Sequence, residues 1–145
     1  MTLPRARNLV LLGAFILLGC SGTEVGKIDF SEAGTGTSHT AIHGGHVDVW
    51  THVNVAFDDE AAAYYHVKLT DGTRVVAEQD CTPFDPVVKH MEIKTTVGRH
   101  ETLRYVGKMR CAFDLPDGTY DAEATLFVKQ PTTLKITHLN LVFKQ

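Results

Sequence analysis

A chain of 145 residues is long enough for one domain with accessories. Its 14 Lys and Arg stand against 17 Asp and Glu, a net charge of −3; without Arg5 and Arg7, which lie in a leader described below, the balance is 12 to 17. That excess of acid speaks against nucleic acid, whose recognition needs a basic patch to displace phosphate counterions. A hydrophobic share of 43% supports a packed core and is too high for disorder.

The chain opens on Arg5 and Arg7, followed by an apolar run from Leu9 to Leu18. A membrane span needs ~20 such residues, so this run is too short to cross and reads as a targeting segment. The stretch Leu17-Leu18-Gly19-Cys20 resembles the lipobox of bacterial lipoproteins, with Leu18 where Ala or Ser is commoner. The resemblance implies a signal peptide over 1–19, cleavage before Cys20, diacylglycerol on its thiol and an acyl chain on its new amine. Two or more chains, at ~0.8 kcal/mol per buried methylene, make a stable membrane anchor. Ser21 follows, with no Asp to act as an inner-membrane retention signal, so the expected place is the bacterial cell envelope, on the outer membrane in a Gram-negative source. The residues by themselves also fit an ordinary secretory signal or an uncleaved apolar anchor.

Assigning Cys20 to lipid leaves Cys81 and Cys111, which in an oxidising compartment predict a disulfide. Two free buried thiols are the alternative. The pair lacks the close spacing of a zinc or redox motif.

Residues 20–45 are rich in Gly, Ser and Thr and predict a flexible tether, in which Val25, Ile28 and Phe30 are able to dock as a short edge strand. The domain is expected over 46–145. From His46 the period is two: Val47, Val49, Val53, Val55 and Phe57 share one face, while His46, Asp48, Trp50, His52 and Asn54 share the other. This is the pattern of a half-buried antiparallel strand. Asp58-Asp59-Glu60 marks a turn; Tyr65, Val67 and Leu69 alternate next, and Asp71-Gly72 signals a hairpin. Another strand is expected from about Val87 to Val97, with Met91 and Ile93 inward and a turn at Gly98-Arg99.

Leu103, Tyr105, Met109, Cys111 and Phe113 then share a face, as do Tyr120, Ala122, Ala124, Leu126 and Val128 beyond Leu115-Pro116-Asp117-Gly118. A hairpin there would set Phe113 opposite Tyr120 and Cys111 opposite Ala122. After Pro131 the last strand changes phase between Ile136 and Leu139, which predicts a bulge near His138. About seven strands and no helix argue an all-β antiparallel β-sandwich, with a small closed barrel as the alternative. The stretch Leu115–Tyr120 resembles the G-x-Y strand start of immunoglobulin-like and prealbumin-like bacterial modules, where the Tyr hydroxyl often anchors a corner.

Eight histidines are many for this length. His39, His43 and His46 run as H-x3-H-x2-H, and imidazoles ligate zinc or copper. His52 lies six residues beyond His46, roughly 20 Å away at ~3.3 Å per residue, so one ion does not bridge those two. A zinc- or copper-binding site would need His39 and His43 to curl back onto His46; the alternative is a row of solvated side chains. Trp50 is the second candidate. With His52, Tyr64 and His66 it composes an interface anchor if open to solvent. The opposite arrangement has Ile28 or Phe30 folded over it. The basic residues Lys89, Lys94, Arg99, Arg104, Lys108 and Arg110 gather in two adjacent strands. There is no G-x-S-x-G, no H-E-x-x-H and no phosphate-binding glycine loop. The expectation is therefore a binding or structural module rather than an enzyme, meeting an envelope protein or surface ligand while its lipid holds the membrane.

Overall fold

A computed structural model of the chain describes residues 22–129 and 133–145, with the side chains of 39–41 outside the description. The expected signal peptide, Cys20 and Pro131 lie outside the described residues. Alternating apolar residues form seven antiparallel strands: β1 (Glu24–Phe30), β2 (Gly34–Asp58), β3 (Ala63–Asp71), β4 (Arg74–Cys81), β5 (Val88–Val97), β6 (His100–Val128) and β7 (Leu134–Lys144). They join one hydrogen-bonded sheet in the order β1-β7-β2-β6-β3-β4, with β5 added to β6.

Two strands, β2 and β6, are long enough to serve two layers. Residues 34–43 of β2 pair with 119–126 of β6, whereas 45–58 pair with 100–115. The sheet folds over at the break between these segments. One layer holds β1, β7, the second half of β2, the first half of β6, and β5. The other holds the first half of β2, the second half of β6, β3 and β4. Tyr65 of β3 demonstrates the facing: its hydroxyl donates to the Asn140 carbonyl of β7 at 3.3 Å, and its ring lies 5.4 Å from that of Phe30 in β1. Strand β3 pairs with neither β1 nor β7, so these contacts cross the core. The all-β, sandwich-like class holds, and the sheet does not close into a barrel.

The fold-over has a local cause. The Tyr120 hydroxyl donates to the Pro116 carbonyl at 2.7 Å, fixing the bend of β6. Beside it, a Cβ on Gly44 would run into the Pro116 carbonyl oxygen and the Asp117 backbone, so β2 bends where only glycine fits. Between the layers Val47, Val49, Val53 and Val55 of β2 pack with Tyr65, Val67 and Leu69 of β3 and with Leu139, Leu141 and Phe143 of β7, all fully buried. Each such side chain contributes about 1.5–3 kcal/mol on burial. The Cys81–Cys111 disulfide ties β4 to the first half of β6, with Cα atoms 5.5 Å apart. It therefore staples one layer to the other.

Four sequence expectations meet the register directly. The bulge expected near His138 is present: Asn54 pairs with His138 but Val55 with Ile136, leaving Thr137 over. Residues 24–45 are not a tether, because β1 and the first half of β2 are built from them. Their small side chains serve close packing rather than flexibility: Ile28 Cγ2 occupies the space a Cβ on Gly36 would take. No hairpin sets Phe113 opposite Tyr120; Phe113 pairs with Val47 and Tyr120 with Ile42, since the corner carries β6 into the other layer instead of reversing it. Met91 and Ile93 are exposed rather than inward. Strand β5 is an edge that pairs only with β6, and a bulge between His90 and Ile93 shifts its phase.

Candidate functional site

The outer face of the β5-containing layer gathers polar, titratable and aromatic side chains from four strands. Pairing places them in rows. His138, Asn54, Arg104 and Ile93 form one row across β7, β2, β6 and β5; Asn140, His52, Val106 and His90 form the next; Val142, Trp50, Lys108 and Val88 the third. Directly paired residues share a face, so the register alone assembles the site.

Asn140 organises it. The residue is fully buried, and its Oδ1 accepts the His52 backbone N–H at 3.0 Å. Its Nδ2 donates to His138 Nε2 at 3.1 Å and lies 3.4 Å from Asp29 Oδ1. With Nε2 accepting from the amide, the His138 ring proton sits on Nδ1. The His52 and His138 rings lie 6.2 Å apart. Burial pushes the His52 imidazole below its ordinary value, and the positive charges of Lys144 and Lys27 act in the same direction against the opposing charge of Glu24. Over these rows opens a cavity of about 440 Å³, lined by His52, Asn54, Met91, Ile93, Arg104 and His138 among others. Its rim is set by the bulge of β5, where Met91 takes a φ of 54°, a left-handed conformation uncommon for a side chain of that size.

Trp50 faces outward, as its strand phase requires, but it is only 7% exposed. Lys144 Nζ sits 4.4 Å above its ring, and His90 stacks on it with centroids 6.0 Å apart. Its cover comes from β7 and β5, not from Ile28 or Phe30, which face the core. Trp50 Nε1 is buried without a hydrogen-bond partner among the described residues, a loss of about 1–3 kcal/mol.

The expected interface set divides. Tyr64 and His66 of β3 lie on the outer face of the other layer, with Tyr65, Val67 and the core between them and Trp50. Tyr64 stacks on Phe127 at 5.1 Å. His66 donates from Nδ1 to Asp80 at 2.6 Å and from Nε2 to Glu78 at 2.5 Å. These hydrogen bonds, to Asp80 first and then to Glu78, hold His66 above its ordinary value.

The H-x3-H-x2-H run also takes a definite form. The side chain of His39 lies outside the described residues. The backbone of His43 is tied to the Gln145 side chain, its N–H donating at 3.2 Å and its carbonyl accepting at 2.6 Å. His46 engages both ring nitrogens, with Asp114 at 2.7 Å and Asp48 at 3.1 Å, and these raise its ionisation in that order. Burial opposes the charge of Asp48, but Lys108 at 2.8 Å and His46 outweigh it and hold the carboxyl below its usual range. Among the described residues, no three His, Cys, Asp or Glu converge as a metal-holding group.

Of the six basic residues gathered around β5 and β6, five are paired: Lys89 with Glu92, Lys94 with Glu101, Arg99 with Asp59, Lys108 with Asp48 and Arg110 with Asp85. Arg104 is exposed and has no ion-pair partner among the described residues. It is also the one of the six that lines the cavity. Sequence reasoning named His52 but missed Arg104, His138, His90 and Asn140 as its companions. The signal for Asn140 was a polar residue inside the apolar run Leu139–Phe143. No family model, curated protein or solved structure matches the chain.

Proposed function

We propose that the chain is an exported, lipid-anchored lipoprotein of the bacterial envelope whose disulfide-stapled sandwich acts as a binding module. The observation that carries this reading is the division of its three cysteines. Cys81 and Cys111 pair across the core, as export to an oxidising compartment favours, while Cys20 stands before the domain at the end of the apolar leader.

Strand β1 begins at Glu24, four residues after Cys20. A chain of four residues reaches at most ~14 Å, so an anchor at Cys20 holds the sandwich against the membrane surface instead of on a long leash. The binding face on this reading is the outer groove of Arg104, His52 and His138, which presents a cation unpaired among the described residues together with imidazoles and apolar side chains.

The test is metabolic labelling with a fatty-acid analogue in a bacterial host. Labelling and membrane retention lost on Cys20→Ala or on inhibition of lipoprotein signal peptidase support the anchor. Retention unchanged by both contradicts it.

A further inference from the structure

We propose that the cavity on the outer face is a binding site for a small organic anion, with its carboxylate on Arg104 and its apolar body against Met91 and Ile93. This rests on reading that face as the binding face, and it names the ligand class.

The cavity, at about 440 Å³, falls in the range of small-molecule sites, ~300–1,000 Å³. Its polar lining sets Arg104 and the imidazoles of His52 and His138 beside the amide of Asn54, which offers both a donor and an acceptor. Arg104 offers a planar fork of donors with no carboxylate partner among the described residues. In the same row, His138 is held by Asn140 at Nε2, which leaves Nδ1–H as a donor with no partner among the described residues. His52 adds a second imidazole 6.2 Å from it.

A metal ion is the competing occupant of paired imidazoles, and the surroundings disfavour it. Of the ionised groups acting on His52, Lys144 and Lys27 are positive and Glu24 is negative, Lys27 is paired with Asp29, and Arg104 adds a further positive charge in the same cavity. A cation entering this positive field is repelled, whereas an anion is drawn in. Moreover, one His138 nitrogen is already engaged.

The apolar half of the site argues against a bare inorganic anion. Met91 and Ile93 are 75% and 59% exposed, yet both line the cavity, at the bulge where β5 leaves regular pairing. Large apolar side chains held open beside an unpaired cation fit a ligand with both a charge and a hydrocarbon surface. The left-handed backbone at Met91 is the kind of local strain that clusters at ligand sites.

The experiment is calorimetric titration of the full chain as purified, whether or not it carries lipid, with benzoate, benzamide, inorganic phosphate and zinc chloride. Benzoate is expected to saturate one site and to bind at least tenfold more tightly than benzamide or phosphate. Arg104→Ala should weaken benzoate about tenfold or more, Ile93→Ser should weaken it several-fold, and Lys94→Ala, at a paired cation outside the cavity, should leave it unchanged. No saturable benzoate binding, equal binding of benzamide or of phosphate, insensitivity to Arg104→Ala, or zinc displacing benzoate each overturns the proposal. Failure here leaves the labelling of Cys20 untouched, and an unlabelled Cys20 leaves the cavity titration valid.

Discussion

The Tyr120 hydroxyl reaches back four residues to the carbonyl of Pro116, and this single bond sits at the point where both long strands pass from one layer to the other. The ring itself is buried, while the bond it makes is only part-buried. Tyr120→Phe keeps the ring and removes the bond. It should lower unfolding stability by about 1 kcal/mol, the net worth of one such hydrogen bond. Urea denaturation should show a lower midpoint at an unchanged slope; an unchanged midpoint would mean that the corner is held by Gly44 packing alone.

The disulfide acts on a different quantity. Cys81 and Cys111 are 30 residues apart, and closing that loop restricts the unfolded chain. The paired replacement Cys81→Ala with Cys111→Ala should destabilise by roughly 3–4 kcal/mol in the chain-entropy model. Comparison of urea midpoints with wild type measures it. A loss below about 1 kcal/mol would show that the layers are held by packing without the staple.

Three histidines should titrate apart. His46 and His66, each between two carboxylates, should titrate above 6.5, and half-buried His52 below it. The stabilisation from His46 and His66 is complete below 6.5 and fades as pH rises through their raised values. His52 works the other way: its contribution is complete above 6.5 and is lost as pH falls toward its depressed value. Resolved imidazole carbon–proton signals followed by NMR across pH 4–9 test the order. Asp114→Asn should bring the His46 midpoint down and leave His52 in place; a His46 midpoint below 6.5 in the wild type would refute the clamp.

Much of the layer structure was legible from alternation, because Val47–Phe57, Tyr65–Leu69 and Tyr120–Val128 each bury one face against a common core. The phase change after Ile136 announced its bulge for the same reason. What alternation misses is topology. A run of small residues at 34–38 reads as linker, yet Gly36 is small because Ile28 lies on it. The Pro116–Gly118 turn chemistry fits a hairpin or a corner equally well; the choice is made by Gly44, seventy-odd residues away in sequence. The candidate groove was the least legible part. Its members come from four strands, and only the register reveals that Arg104 and His138 share a row with Asn54 between them. Likewise, no pattern in the sequence shows that five neighbouring cations are neutralised while the sixth has no partner among the described residues.

The most direct measurement of the central claim is mass spectrometry of the N-terminal peptide from the protein isolated from bacterial membranes. The account predicts that residues 1–19 are absent and that Cys20 carries a diacylglyceryl thioether with an acylated amine. A peptide that retains those nineteen residues and a bare Cys20 thiol would contradict it.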